Sequence, residues 1–327
     1  MSLGNSSTAG QTSPLVMRVI GAVALAHLIN DLIQAVLPSI YPMLKASYGL
    51  TFTQVGLITL TFQLTASLLQ PWVGYYTDRH PQPFLLPCGM ICTLAGILMM
   101  SQVGSFPLIL LAAGLIGIGS STFHPEASRV ARLASGGRYG LAQSTFQVGG
   151  NAGSAFGPLL AAAIIIPFGQ GNVAWFGLFA VFALAVLYAI SRWYRNHLSL
   201  FKPKAGQAAT HGLSKQRVMS ALVVLGLLVF SKYFYMASIT SYFTFYLIEK
   251  FDLSVASSQL HLFLFLGAVA AGTFFGGPIG DRIGRKAVIW FSILGAAPFT
   301  LLMPHVDLFW TSVLSVIIGF VLASAFS

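Results

Sequence analysis

The chain has 327 residues, of which 56% are hydrophobic and only 7% charged, and its mean hydropathy is +0.81. A soluble globular domain carries about 25% charged residues, so composition excludes that class and identifies a protein of the membrane. The net charge of +10 at pH 7 rests on few side chains and forms no basic stripe with interleaved aromatics, which excludes a nucleic-acid partner.

Residues 1–16 are small and polar, with no basic cluster leading into a short apolar core and a cleavage site; they read as a disordered cytoplasmic tail, not a signal peptide. Apolar stretches follow at 17–41, 50–76, 84–103, 106–125, 140–166, 172–194, 218–248, 255–280, 287–304 and 308–326. Each is near or above the ~20 residues that cross a hydrocarbon core, which predicts ten crossings.

The first stretch carries His27, Asn30, Asp31, Gln34 and Pro38, a polar stripe at helical spacing that should face a water-filled cavity. An ionisable group at that depth costs about 2.5–3.5 kcal/mol to insert and calls for a reason. One reading makes Asp31 a proton-exchanging carboxylate tuned or relayed by His27. The alternative is a buried polar cluster that only locks this helix to its neighbours. The second stretch adds Gln63, Gln70 and Pro71 to the same cavity wall and ends in GYYTDR, Gly74 to Arg79. Cys88 and Cys92 share a face of the third stretch and have no second pair or histidine partner, so they read as packing; neither a metal nor a cofactor is expected.

At the end of the fourth stretch, FHPEASRVAR brings His124, Glu126, Arg129 and Arg132 together, with Arg138 shortly after. They form either an ion-pair gate or solvated loop charges. The fifth stretch sets Gln143, Gln147, Gly150, Asn151 and Ser154 on one face and ends in Gly153, Gly157 and Pro158. Small residues admit a close neighbour and proline loosens the backbone, which suits a helix that bends; ordinary small-residue packing is the alternative. After the sixth stretch, 195–217 is rich in Lys, Pro and Gly without apolar period and reads as a cytoplasmic linker. It separates a first half, 17–194, from a second, 218–327. The seventh stretch holds Lys232 among Phe230, Tyr233, Phe234 and Tyr235. That ammonium is placed to pair with Asp31, to attract an anionic substrate in a cavity shared with Tyr235, or to snorkel toward the helix end.

The eighth stretch ends in GPIGDR, Gly277 to Arg282, repeating the Gly-x-x-x-Asp-Arg element of Gly74, Asp78 and Arg79 at an offset of 203 residues; Tyr48, Leu50 and Thr51 answer to Phe251, Leu253 and Ser254 at the same offset. Two related halves are the usual plan of a secondary transporter. At these helix ends the glycines allow close approach, while Asp78, Asp281, Arg79, Arg282 and Arg285 can hold the halves together in one state and part in another. By the same offset the counterparts of the fifth and sixth helices are missing, and the natural chain is expected to continue for about 70 residues to twelve helices. Lysine and arginine are retained on the cytoplasmic side. With the amino terminus inside, the cytoplasmic segments hold fourteen of them and the outer segments only Lys45 and Lys250.

These motifs resemble the major facilitator superfamily, whose signature loop matches Gly277, Asp281, Arg282, Gly284, Arg285 and Lys286 in full and Gly74, Asp78 and Arg79 in part, since His80 and Pro81 replace the later residues. Gly153, Gly157 and Pro158 resemble the antiporter element of drug exporters, although Ala161 and Ala162 stand where that pattern has glycines. Longer runs, among them HLINDLIQAVLPSIYP and STFHPEASRVARLASGGRYGLAQSTFQVGGNAGSAFGPLL, are similar to the fosmidomycin-resistance group of bacterial exporters. The resemblance implies an all-α integral membrane protein of two pseudo-symmetric six-helix halves, with ten helices in this chain. It implies a multi-pass monomer in the bacterial inner membrane that exchanges protons for a small phosphonate. Symport of a metabolite is the second transporter reading. A membrane enzyme is disfavoured because HPE has no nucleophile, metal or nucleotide motif beside it.

Overall fold

A computed structural model describes residues 15–198 and 214–325. The tail up to residue 14 and the centre of the linker, 199–213, lie outside the described residues, as do the side chains of Gly277, Asp281 and Arg285, so the roles expected of them are not addressed.

The first helix, α1 (Met17–Ser39), ends one residue after Pro38. A short helix, Tyr41–Tyr48, continues at an angle and stops at Gly49, whose φ of 59° is a left-handed position that a Cβ disfavours. Thr51 then opens α2 (Phe52–Arg79) with a reciprocal cap: its hydroxyl accepts from the Gln54 amide at 3.2 Å, and the Gln54 side chain accepts from the Thr51 amide at 2.9 Å. A widened π turn at Leu64–Leu68 interrupts α2. The following helices are α3 (Leu85–Met100), α4 (Phe106–Leu133), α5 (Tyr139–Phe168, with a π turn at Ala161–Ile165) and α6 (Phe176–Asn196). Beyond the linker come α7 (Lys215–Phe251), α8 (Val255–Ile283), α9 (Lys286–His305) and α10 (Leu308–Ala323).

Eight of these helices are long and apolar enough to cross a membrane. The exceptions are α3 and α10, each of 16 residues, or about 24 Å against a hydrocarbon core of about 30 Å. The apolar pattern predicts ten crossings, and the structure supplies eight full-length ones. At α3 the difference has a local cause, because Ser101 and Gln102 fold back onto the carbonyls of Ile97 and Met99 in a turn that the apolar run had included. Cys88 is exposed on α3 and Cys92 partly so.

The duplication read from the sequence has a structural counterpart. Asp252, 203 positions after Gly49, closes α7 in the same left-handed conformation (φ 52°). Ser254, answering to Thr51, caps α8 by accepting from the Ser257 amide at 3.2 Å. Helix crossings repeat as well: a Cβ on Gly117 of α4 would lie 2.7 Å from the Phe62 carbonyl of α2, and one on Gly319 of α10 would lie 2.7 Å from the Phe265 carbonyl of α8. Phe62 and Phe265 are again 203 apart.

One apolar core joins α1 to α6 around Tyr41, Phe123, Phe176 and Tyr194, and a second joins α7 to α10 around Phe243, Leu262 and Phe265. The described hydrogen bonds between the halves all lie toward the end of the bundle that carries the α1–α2 turn, here the Tyr41 face. Gln259 donates to the Ser39 carbonyl at 2.6 Å, and Tyr242 to the Phe52 carbonyl at 3.3 Å. The Thr59 hydroxyl bonds Tyr41 at 2.9 Å and stands 3.1 Å from Ser241.

Candidate functional site

The polar stripe of α1 is held in place by glycines on α5. A Cβ on Gly153 would run into the Leu28 carbonyl and one on Gly149 into the Ala24 carbonyl, so the α5 backbone lies directly on α1. Gly150 is the position that shapes the site. A side chain there would strike the His27 ring and come within 2.8 Å of Asp31 Oδ2. The missing Cβ is the space that the His27–Asp31 pair occupies.

His27 is buried, stacked on Phe146 with ring centroids 4.0 Å apart and flanked by Phe123 at 5.7 Å. Its Nδ1 stands 2.8 Å from the Phe146 carbonyl and its Nε2 3.2 Å from Asp31 Oδ2. The second carboxylate oxygen receives more company. Asn30 donates to Oδ1 at 3.0 Å, Gln34 at 3.4 Å, and His124 of α4 places its Nε2 3.5 Å away. His124 Nδ1 in turn faces the Ser120 carbonyl at 3.0 Å, while the Ser120 hydroxyl donates to Gln34 Oε1 at 3.0 Å. Asp31, Gln34, Ser120 and His124 thus close a ring of polar contacts between α1 and α4, with His27 and Asn30 attached to it.

His124 is the member to which sequence reasoning gave no role, since the gate suggested by FHPEASRVAR rested on Glu126 and the arginines. Helical geometry carried the missed signal: at 3.6 residues per turn, His124 and Glu126 point about 200° apart, while Ser120 and His124 share a face. Glu126 and Arg129 accordingly form a separate cluster. Arg129 bonds Glu126, which is fully buried, and reaches across to Asp78 of α2 at 2.5 Å. The first copy of the repeated element therefore pairs with a neighbouring helix through Asp78, whereas a Cβ on Gly74 would meet Pro125 of α4 at an ordinary contact distance of 3.8 Å, so the expected close approach does not depend on that glycine. Arg79 instead lies 3.7 Å over the Tyr75 ring, and Arg138 is exposed at the start of α5. Arg282 is exposed at the end of α8.

The remaining cavity candidates have local partners. Gln147 donates to Asn151 at 3.3 Å, Gln143 accepts from Ser128, and Gln63 accepts from Ser67. In the second half Lys232 is buried and donates to Ser292 of α9 at 3.2 Å, and Tyr235 bonds Thr300 at 2.7 Å. The described partners of the Asp31 carboxylate all come from its own half, so the Lys232–Asp31 pair read as one possibility is not among them. A groove of about 780 Å³ at the ends of α5 and α6 is lined by Ile164, Phe168, Trp175 and Phe182 and contains none of the polar groups above. It is an apolar flank, and the chemistry lies elsewhere.

His27, Asp31 and His124 offer ligand atoms within 4.8 Å of one another, the composition of a cation site. Those atoms already meet one another directly as imidazole–carboxylate pairs, an arrangement suited to holding protons. What the geometry can do is stabilise a variable number of protons on two imidazoles around one carboxylate.

Residues 23–327 match the profile of the Major Facilitator Superfamily. The chain is 59% identical over 322 residues to the fosmidomycin resistance protein of Escherichia coli (strain K12), covering 98% of this chain and 79% of that one. It is 39% identical over 308 residues to the uncharacterized MFS-type transporter YfnC of Bacillus subtilis (strain 168), covering 93% and 75%. Among solved structures, a bacterial homolog of the human lysosomal transporter Spinster, inward-facing and occupied, superposes with a TM-score of 0.74 at 16% identity, covering 96% of this chain and 73% of that one. A D-xylose-proton symporter superposes with a TM-score of 0.70 at 15% identity, covering 96% and 80%.

Proposed function

Because the chain belongs to the Major Facilitator Superfamily, and is therefore a multi-pass membrane transporter and not an enzyme, we propose that it exchanges protons for a small anionic drug of the fosmidomycin type, expelling it by alternating access. The observation that carries the proton half of this reading is the placing of Asp31 between two imidazoles inside membrane-length helices. An unpaired carboxylate there would be costly, and a cluster with room for a variable proton count gives it a use. The substrate half is supported by the 59% identity to a fosmidomycin resistance protein and by Lys232, a buried cation in the opposite half that suits an anionic ligand.

Direction and state follow from the same reading. The lysine and arginine bias puts the amino terminus and the linker in the cytoplasm, with α3 and α10 completing ten crossings. The Tyr41 face is then external. Bonds from Gln259, Tyr242 and Thr59 join the halves there, which supports a state closed on the outer side. In the exchange cycle the drug enters from the cytoplasm, the halves rock, and proton uptake at the Asp31 cluster from outside trades against drug release. The Asp78–Arg129–Glu126 cluster steadies the cytoplasmic end of α2 against α4 through the cycle, with the bend of α5 at Gly153, Gly157 and Pro158 taking up the motion.

Cells carrying the full gene should accumulate less labelled phosphonate than cells without it, and the Asp31→Asn variant should lose this difference while inserting normally into the membrane. Greater accumulation in the wild type would replace export by symport, and unchanged export in Asp31→Asn would remove the coupling role.

A further inference from the structure

We propose that His124 is the group that takes up and releases the coupled proton, with Asp31 as its fixed counter-charge and His27 as an anchor that keeps its own proton. This rests on the proton-coupled reading above and alters which residue carries the proton in it.

The assignment follows from what each ring nitrogen faces. His27 Nδ1 meets the Phe146 carbonyl at 2.8 Å and His124 Nδ1 meets the Ser120 carbonyl at 3.0 Å. A carbonyl oxygen only accepts, so both Nδ1 atoms carry hydrogen and the mobile proton belongs to the Nε2 positions. Each Nε2 points at a different oxygen of Asp31, at 3.2 and 3.5 Å. A bare Nε2 lone pair against a carboxylate is repulsive, and the resident proton is assigned to the tighter contact, His27–Asp31. A second proton has one place left, His124 Nε2, where the other carboxylate oxygen stabilises it. The cluster therefore alternates between one proton and two, and Asp31 stays ionised throughout.

Access to water separates the two imidazoles. The His27 side chain is 2% exposed and walled by Phe146 and Phe123, whereas the His124 side chain is 27% exposed. The exchange step is simple: the Nε2 lone pair of His124 takes a proton from a hydronium ion, leaving water, and later returns it to water, while the Nδ1–H stays on the Ser120 carbonyl. Other titratable groups on α4 and on the helices packed against it, α1, α2, α3 and α5, have separate described engagements or none with this ring. Asp78, Glu126 and Arg129 form their own cluster, Arg79 lies over Tyr75, His80 stacks on Tyr76, and Arg132 lies over Tyr139. Cys88 and Cys92 sit on α3 without a described contact to it, and on α1 only His27 and Asp31 face it. The proton also has a mechanical consequence. It strengthens the His124–Asp31 link between α4 and α1, and its loss leaves the Ser120–Gln34 bond as the remaining tie of that ring, so α4 is freed to shift on α1.

The test uses the full protein with 15N-labelled histidine in lipid nanodiscs, its signals assigned with His27→Gln and His124→Gln, or with His124→Asn if the glutamine variant does not fold. His124 should gain and lose one proton at Nε2 with pH while Nδ1 stays protonated, and His27 should remain doubly protonated over that range. A His124 that does not titrate, that carries its neutral hydrogen on Nε2, or that titrates only together with His27 overturns the proposal. In proteoliposomes, His124→Gln should lose accumulation of labelled fosmidomycin driven by a pH gradient by about tenfold or more. Retention of gradient-driven accumulation overturns it. A wild-type protein that moves no phosphonate defeats the transport reading alone, and the NMR titration still decides the role of His124.

Discussion

Helices α1 and α7 are the same element twice, and they differ where chemistry is concerned. The short helix that continues α1, Tyr41–Tyr48, ends before the left-handed Gly49 and α7 ends before the left-handed Asp252, and a hydroxyl cap follows each, Thr51 or Ser254. Midway the likeness stops. The positions 203 after His27 and Asp31 are Phe230 and Phe234, whose rings stack 5.9 Å apart on an exposed face. Conversely, Lys232 answers to Ile29, and both are buried. Duplication kept the features that terminate and cross helices, and put an imidazole–carboxylate pair in one copy and an ammonium in the other. Backbone turns and crossings are needed equally by both halves, whereas the proposed exchange needs one proton site and one opposing cation.

Making α1 like α7 should have the largest effect. Asp31→Phe removes the carboxylate that His27 and His124 share, a loss of about 3–5 kcal/mol for a buried pair deprived of one member. Gradient-driven transport in proteoliposomes should fall to background and the purified protein should unfold at lower temperature. The reciprocal change, Phe234→Asp, sets an unpartnered carboxylate within a membrane-length helix at an insertion cost of about 2.5–3.5 kcal/mol, so it should lower the amount of inserted protein while transport per inserted molecule stays within about twofold. Comparable losses from both would mean that the halves share the proton chemistry.

The next contrast lies within the first half. Arg129 holds two carboxylates, Glu126 fully buried and Asp78 with its side chain 68% exposed. Glu126→Gln should cost about 3–5 kcal/mol of stability, and Asp78→Asn about 1 kcal/mol or less, measured by thermal unfolding in the same detergent. An Asp78→Asn variant as unstable as Glu126→Gln would show that the repeated element holds the fold together more than it gates it.

How much of this could be read from the chain depends on whether geometry is local. His27 and Asp31 are four apart on one helix, so their meeting follows from helical pitch alone, and the Tyr48, Leu50, Thr51 register marked the duplication without revealing the caps. The glycines at 150, 153 and 157 pointed to a close neighbour without saying which one. That α4 turns His124 and Ser120 onto Asp31, 93 residues away in the chain, depends on how α1, α4 and α5 rotate against one another. Packing of Gly150 against His27 and of Phe123 against Phe146 sets that rotation. The π turns at Leu64–Leu68 and Ala161–Ile165 also arise from tertiary packing, as does the choice of Ser292 as a partner for Lys232.

The duplicated caps should give equal losses. Thr51→Ala and Ser254→Ala each remove one hydroxyl that satisfies a first-turn amide, worth about 1 kcal/mol apiece. Thermal unfolding should place the two variants together, with Thr51→Ala slightly lower because the Gln54 side of its reciprocal cap is also disturbed. Costs that differ by more than about 1 kcal/mol would show that the halves unfold separately, with one of them deciding the transition.

The smallest effects should come from the left-handed residues, and here the two halves should respond with opposite signs. Gly49 sits at φ 59° with nothing within 4 Å of a prospective Cβ, so Gly49→Ala meets no clash and pays only the backbone term of about 1 kcal/mol for an L-residue in that conformation. Asp252 already bears that strain at φ 52°, so Asp252→Gly relieves it, gaining at most about 1 kcal/mol before the entropy of the unfolded glycine is subtracted. The signs matter more than the sizes. A mutation that harms the first turn while its mirror in the second is neutral or helpful would show that duplication preserved a backbone conformation and left each half to meet its cost with a different residue. If Asp252→Gly destabilises as much as Gly49→Ala, the carboxylate at 252 must contribute more than the conformation costs, and the two turns are alike in shape only.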